Sequence, residues 1–552
     1  MPALSKEHSA KLATLVVQKQ GGRMSPLDTL AGEVLEKVHK SRTYEGQDAS
    51  GVLMSMYIFK QWWAFEPLIV MPRNKAVNEE FAKILGLKAP QKFISYADFF
   101  DENDNYKLTK YVENANRKNP NSRGVFDKEL IKLDERANIV NLVLGGDLLR
   151  IFPLQSGEEQ LWLAPTQLDE LYKKGSLGQS EGEEVALLFG KYLNAGVVGI
   201  VEGNYSRADE ALAAIKAYQS KHGADIMPSE TKINTEIFVN SAQIFVKLTP
   251  IYLLAGLLLL IIVLFKMIRP KTNINLAFKC VYAINILAFI AHTAGLCLRA
   301  YLADHAPWSN AYESMIYIAW ALGLSGIFFS RKSPIALSLT SILAGLTLWV
   351  AHLGEMDPQI TNLVPVLNSY WLSIHVSVIT ASYGFLGLCA LLGIFVLVLL
   401  CFMKKGGKHN ENIARNITEA TRINEMAMIL GLILLTIGNF LGAIWANESW
   451  GRYWSWDSKE TWALISILIY AAVLHIRLVP SLATQFNFAV ASMFAYWVII
   501  MTYFGVNYFL VGMHSYAAGD VTKIPNFVYV GFILMLILAI ISYFKRGYAK
   551  KL

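Results

Sequence analysis

The sequence predicts an all-α polytopic membrane protein of about nine transmembrane helices, preceded by an N-terminal soluble, mainly helical α or α+β extracytoplasmic domain. Three observations predict it. The hydrophobic residues, 54% of the chain, are concentrated in its second half. Apolar runs of roughly 20 residues recur there, the length that crosses a hydrocarbon core about 30 Å thick. Lys and Arg gather in alternate connections between those runs, as they do in a chain threaded through a membrane.

Residues 1–240 read as a soluble domain rich in Lys, Glu, Asn and Asp. Ser25-Pro26-Leu27-Asp28 reads as a helix start, with Ser as cap and Pro in the first helical position. Residues 206–221 carry an amphipathic helical pattern, closed by Lys221, His222 and Gly223. The Asn-, Asp- and Lys-rich stretch 99–123 reads as a surface excursion. No repeat and no catalytic constellation is visible in this domain, and docking or scaffolding is its expected role.

The membrane domain is expected over 245–545, with spans at 246–268, 277–303, 312–330, 334–353, 371–403, 426–446, 460–478, 486–511 and 525–544. Lys266, Arg269, Lys271, Arg331, Lys332, Lys404, Lys405, Lys408, Arg415, Arg422, Lys545, Arg546, Lys550 and Lys551 fall in one set of connections. The other set holds mainly Arg452, Lys459 and Lys523, with Arg299 near a span end. The richer set belongs in the cytoplasm, which puts a tryptophan-rich loop at 445–462 and the N-terminal domain outside. An outside domain needs an export route, and residues 1–20 lack the apolar core of a signal peptide. The chain is therefore expected to be a piece of a longer protein or half of a split system; the alternative is a first span that inserts with its N-terminus out.

The formal charge of +7 invites a nucleic-acid partner, but most of it sits between spans, where it sets orientation. The four Cys (Cys280, Cys297, Cys389 and Cys401) lie in spans and form no CxxC pair, which argues against thiol oxidoreductase chemistry.

The segment Trp450-Gly451-Arg452-Tyr453-Trp454-Ser455-Trp456-Asp457-Ser458-Lys459-Glu460-Thr461-Trp462 sets four of the thirteen Trp around Asp457. Interfacial Trp usually anchor span ends one at a time; a cluster of this density suits a large, flat, amphipathic ligand. His375 lies four residues after Trp371, roughly 6 Å into its span. His514 follows the eighth span directly, so both approach the same surface. Two imidazoles on opposite faces of a porphyrin would give six-coordinate, low-spin haem iron, suited to holding haem or passing electrons and not to oxygen chemistry. Arg299, Arg452 and Lys459 are the cations available to its propionates. His475 lies 13 residues beyond Trp462, roughly 20 Å deeper, where an ionisable group is costly and marks a functional site. His292 shares that logic, whereas His305 and His352 read as supporting residues near the outer surface.

Together with Asp304-His305-Ala306-Pro307-Trp308-Ser309-Asn310-Ala311-Tyr312-Glu313-Ser314, Tyr370-Trp371-Leu372-Ser373-Ile374-His375-Val376 and Met513-His514-Ser515-Tyr516-Ala517, the Trp-rich segment resembles the cytochrome c synthesis protein CcsA, or the CcsA part of fused CcsBA, among haem-handling proteins with the tryptophan-rich WWD motif. The resemblance covers roughly 245–545; Gln20-Gly21-Gly22-Arg23 through Leu27-Asp28-Thr29-Leu30 is similar, less firmly, to the segment before the CcsA part in fused members. It implies a component of a holocytochrome c synthase in the bacterial inner membrane, exporting or receiving haem b and presenting it to the CxxCH motif of apocytochrome c on the periplasmic side. It implies His375 and His514 as the external axial pair and His475 as one ligand of a deeper haem. Trp450, Trp454, Trp456, Asp457 and Trp462 form the platform, with Arg452 and Arg299 as cofactor contacts. A ResB/CcsB-like membrane protein is the implied partner and the expected source of the second deep ligand, with His292 as the internal alternative. A thioredoxin-like thiol reductase is a further expected partner. The motif departs from the family at Ser458, where Pro is usual. The competing readings are a b-type haem electron-transfer subunit of a quinol-linked complex, built on the His292–His305 spacing, and a haem-free transporter.

Overall fold

The computed structural model describes all residues except 120–121, 155–160, 168–178, 270, 332, 354–355, 364, 405–407 and 511–523. The chain divides into two compact units, Met1–Ala242 and Gln243–Leu552.

The first unit is mainly helical, with four short antiparallel strand pairs among its described residues. Its core gathers Leu12, Leu35, Met54, Phe81, Leu133, Phe152 and Ile215 from helices and strands far apart in sequence. Pro26 is the N-cap of the helix Leu27–His39, one position earlier than its spacing suggests, and caps it with no side-chain bond. Ser25 is drawn instead into the strand Met24–Pro26, which pairs with Val16–Gln18. The amphipathic pattern does form a helix, Ser206–His222; Gly223 caps it with φ −115°, so no left-handed turn is used. The stretch 99–123 contains a largely exposed helix, Thr109–Arg117. The helix Glu230–Ala242 is fastened by a buried ion pair: the Arg23 guanidinium donates to both Glu236 oxygens at 3.0 and 2.7 Å, and Thr29 Oγ1 donates to the same carboxylate at 2.7 Å.

The second unit is a bundle of membrane-length helices. Each expected span is helical: Ile244–Ile268, Asn275–Ala303, Ala311–Ser330, Pro334–Ala351, Tyr370–Cys401, Lys408–Trp450, Ser458–Leu474, Gln485–Phe509 and Asn526–Tyr543. Among the described residues nine helices are long and apolar enough to cross a membrane. Eight of these are expected spans. The remaining one, Gly182–Glu202, belongs to the first unit and packs Val185, Phe189 and Tyr192 into that unit's core. The seventh span, at 17 residues, is the shortest of the expected set.

The fifth span is the hub, packing against the third, fourth, sixth, eighth and ninth. Lipid supplies no hydrophobic drive between helices, so close backbone approach through small residues takes its place. At Gly393 a Cβ would stand 2.6 Å from the Ala489 carbonyl oxygen of the eighth span.

Two spans depart from the apolar pattern. The sixth is a 43-residue helix that begins at Lys408, because the polar stretch before 426 continues the same helix beyond the apolar run. The eighth is interrupted by a π-helical turn at Met501–Gly505.

Removing Glu236 would leave the Arg23 charge buried without its carboxylate. Glu236→Ala is expected to lower the opening free energy of the helix Glu230–Ala242 by about 3–5 kcal/mol, measured by hydrogen exchange on the full chain in detergent.

Candidate functional site

The expected Trp-rich loop is much shorter than its sequence boundaries. Trp445 and Trp450 lie on the sixth helix, which runs to Trp450, and Trp462 lies on the seventh, which starts at Ser458. Only 451–457 is irregular. Gly451 turns the chain with φ +72°, a conformation open to glycine at no steric cost. Asp457 then caps the seventh helix, its carboxylate accepting from the Lys459 N–H at 2.8 Å. Ser458 thus occupies the first helical position, the place where proline is also favoured. Glu460 closes the turn, accepting from the Ser455 N–H at 2.8 Å.

Behind this turn lies a cavity of about 710 Å³, within the ~300–1,000 Å³ range of ligand pockets. It is built from the starts of the third and fifth spans, the end of the sixth, the start of the seventh and the π-turn of the eighth. His375, Trp445, Trp454 and Lys459 all line it.

His375 is positioned by backbone. Its Nδ1 lies 2.6 Å from the Gly438 carbonyl oxygen on the sixth span. With Nδ1–H donating there, Nε2 is the unprotonated nitrogen; ring N–H donation to a carbonyl in this way orients metal-binding histidines. Gly442 makes the room: a Cβ there would meet His375 Cε1 at 2.6 Å and Nδ1 at 2.8 Å. The indole Nε1 atoms of Trp308 and Trp454, both cavity residues, are buried with no acceptor among the described residues.

The other expected site residues separate. Trp450 packs edge-on to Trp445 with ring centroids 4.8 Å apart, supporting that wall from behind. Trp456 is 72% exposed and stands edge-on to Trp454. Arg452 is exposed, and Asp457 is buried at the helix cap; neither lines the cavity. Trp462 contributes its carbonyl, which accepts from Ser466 Oγ at 2.8 Å and Thr502 Oγ1 at 3.2 Å. His514 lies outside the described residues. His475 caps the far end of the seventh helix, exposed, with Nδ1 2.7 Å from the Ala471 carbonyl oxygen.

Arg299 does not reach the cavity. Its guanidinium is buried against Glu313, with Nε–Oε1 2.8 Å, and donates to the Pro358 and Gln359 carbonyls. Lys459 is the cation on the cavity wall instead. His292 is fully buried, with Nε2 3.0 Å from the Ile316 carbonyl oxygen and Nδ1 3.5 Å from the Tyr252 hydroxyl. His305 lies beyond Ala303, where the second helix ends. Two stacked haems on that helix therefore find one histidine already engaged and the other off the helix.

Sequence reasoning overlooked the π-turn, which presents Thr502 and Tyr503 to the cavity and lets the Tyr503 hydroxyl donate to the Ala311 carbonyl at 3.2 Å. Gly505 is its one sequence signal, and too common a residue in membrane helices to be read that way. Tyr453, on the cavity rim, was hidden among the tryptophans around it.

The description "Cytochrome C assembly protein" belongs to the family profile that matches residues 308–514. Protein NrfI of Wolinella succinogenes is 43% identical over 516 residues, covering 94% of this chain and 55% of that protein. Cytochrome c biogenesis protein CcsA of Guillardia theta is 36% identical over 256 residues, covering 43% of this chain and 84% of that protein. CcsA of Prochlorococcus marinus strain MIT 9301 is 32% identical over 297 residues, covering 48% and 95% respectively. The chain thus spans about half the length of the Wolinella protein.

The geometry at Asp457 separates two roles. If its work is capping, Asp457→Asn keeps the seventh helix and Asp457→Ala loses about 1 kcal/mol, seen as a lower thermal midpoint for the Ala variant alone; equal losses in both would assign the charge a further role.

Proposed function

The chain belongs to the CcsA family of cytochrome c biogenesis proteins, and from that premise we propose that it receives or exports haem b and presents it for thioether attachment to the CxxCH motif of apocytochrome c. Haem is the substrate here, held and handed on. The observation that carries the reading is His375: an imidazole oriented by the Gly438 carbonyl, on the wall of a cavity that also holds Trp445 and Trp454.

In this reading His375 is one external axial ligand and His514 the other. The aromatic wall takes the porphyrin face. The buried indole N–H groups of Trp308 and Trp454, with Lys459, suit carboxylate acceptors such as propionates. Arg452, exposed in the turn 451–457, is a further cationic contact in this reading. Each client thiol adds across one vinyl group, sulfur bonding to the carbon next to the ring and hydrogen going to the terminal carbon. No protein nucleophile is needed. The protein's part is to hold two thiols against two vinyls, and positioning of that kind supplies much of a rate enhancement. When the histidine of CxxCH replaces an axial ligand, its neighbouring thiols arrive with it.

The Trp-rich end and the N-terminal domain face the periplasm of a bacterial inner membrane in this reading, which the Lys- and Arg-rich connections support. The N-terminal domain serves as a docking surface. His475, exposed at the far end of the seventh helix, is a ligand of a deeper haem whose second ligand comes from a ResB/CcsB-like partner. A thioredoxin-like thiol reductase would keep the client thiols reduced.

The test is a visible spectrum of the purified chain, oxidised and reduced. His375→Ala is expected to abolish the low-spin signature, and Gly442→Ala to weaken haem retention about 10–100-fold by displacing the same ring. Normal cytochrome c maturation by the His375→Ala chain would end the external-ligand assignment.

A further inference from the structure

One wall of the cavity has no regular secondary structure to hold it. His305, Trp308 and Ser309 come from the connection before the third span, and Asp357, Gln359 and Thr361 from the connection after the fourth. Irregular backbone at such a site must be held by side chains.

Both connections are held by one buried ion pair. Asn310 caps the third span, its side chain accepting from the Glu313 N–H at 2.8 Å, and so sets Glu313 in the first helical turn. The Glu313 carboxylate, 1% exposed, turns back along the chain. One oxygen accepts from the Ser309 N–H at 2.8 Å and the Ser309 hydroxyl at 2.7 Å. The other accepts from Arg299 Nε at 2.8 Å. The terminal nitrogens of Arg299 reach the second connection, donating to the Pro358 carbonyl at 2.8 Å and the Gln359 carbonyl at 3.1 Å. Its guanidinium also lies 5.2 Å from the centroid of the Tyr312 ring, which itself lines the cavity. Neither Arg299 nor Glu313 lines it.

We infer that Arg299 and Glu313 are positioning residues: a latch that ties the connections 304–310 and 356–361 into one wall and thereby sets the grip of the cavity on its substrate. The inference rests on the haem reading above. Its chemistry is specific to arginine, whose planar fork serves a carboxylate and two carbonyls at once; lysine has a single nitrogen at that position. Losing either partner strands the other charge in a buried site and leaves two carbonyls, or the Ser309 N–H, without their bonds. His305 adds a lesser tie, its Nε2 lying 3.3 Å from the Thr361 carbonyl oxygen.

The experiment compares the full wild-type chain in detergent with Arg299→Lys and with Ser309→Ala, the latter removing only the hydroxyl bond. Hydrogen exchange is followed over 304–310 and 356–361, and ferric haem b is titrated and then reduced. Arg299→Lys is expected to raise exchange in 356–361 and to weaken haem binding at least about tenfold, with the reduced spectrum keeping its ligand signature. Ser309→Ala is expected to raise exchange in 304–310 and to weaken haem less; it decides the matter if Arg299→Lys does not fold. Unchanged exchange, or raised exchange with unchanged haem affinity, overturns the latch. A wild-type chain that takes up no haem overturns the haem reading, and the substrate role of the latch with it.

Discussion

A bilayer interior offers backbone N–H and C=O groups no water to bond to, so a crossing chain must satisfy them internally wherever it meets lipid, as a helix or a closed barrel does. Nearly everything in the second unit follows from that constraint. The helices are long, and four of the places where the helical backbone breaks are grouped at one site. The turn 451–457, the connections 304–310 and 356–361, and the π-turn 501–505 all border the same cavity. Backbone freed from the helix is tolerated there because side chains replace the lost partners: Asp457 and Glu460 at the first turn, Arg299 and Glu313 at the two connections, and Thr502, donating to the Val498 carbonyl, at the π-turn.

The tryptophans divide their work by depth. Trp454, with Trp445, faces the cavity, Trp450 backs that wall, and Trp456 stands in the open. Each position follows from local geometry: the sixth helix carries Trp445 and Trp450 on adjacent turns, and the left-handed residues Gly451 and Trp456 bend the chain so that Trp454 turns inward. A motif that reads as one aromatic platform is therefore a wall, its support and an exposed lip.

Glycine has a second use in this bundle besides close helix packing. Gly438 supplies the carbonyl that orients His375, and Gly442, one turn along the same helix, supplies the space the ring occupies. The histidine and its two glycines thus come from facing spans, and the site's geometry is inseparable from the contact between the fifth and sixth helices that also forms the bundle's hub.

The sequence by itself determined the membrane class, the helical spans and the residues around which a site could be built, because apolar run length and charge between runs are local properties read without knowing the fold. His375 and Trp454 were legible for the same reason: their types and places along the chain already fit an amphipathic ligand. Only the tertiary structure decided which cations and rings face the cavity. Arg299 and Lys459 both sit near span ends and are indistinguishable by depth, yet Glu313 draws one into a buried pair while the other remains on the wall. His292 and His375 both lie within spans, but the first is buried between the Ile316 carbonyl and the Tyr252 hydroxyl, whereas the second lines the cavity in the space that Gly442 leaves. The physical reason is the same in each case: a side chain's chemistry is set by neighbours brought from distant parts of the chain, and helical periodicity carries no record of them.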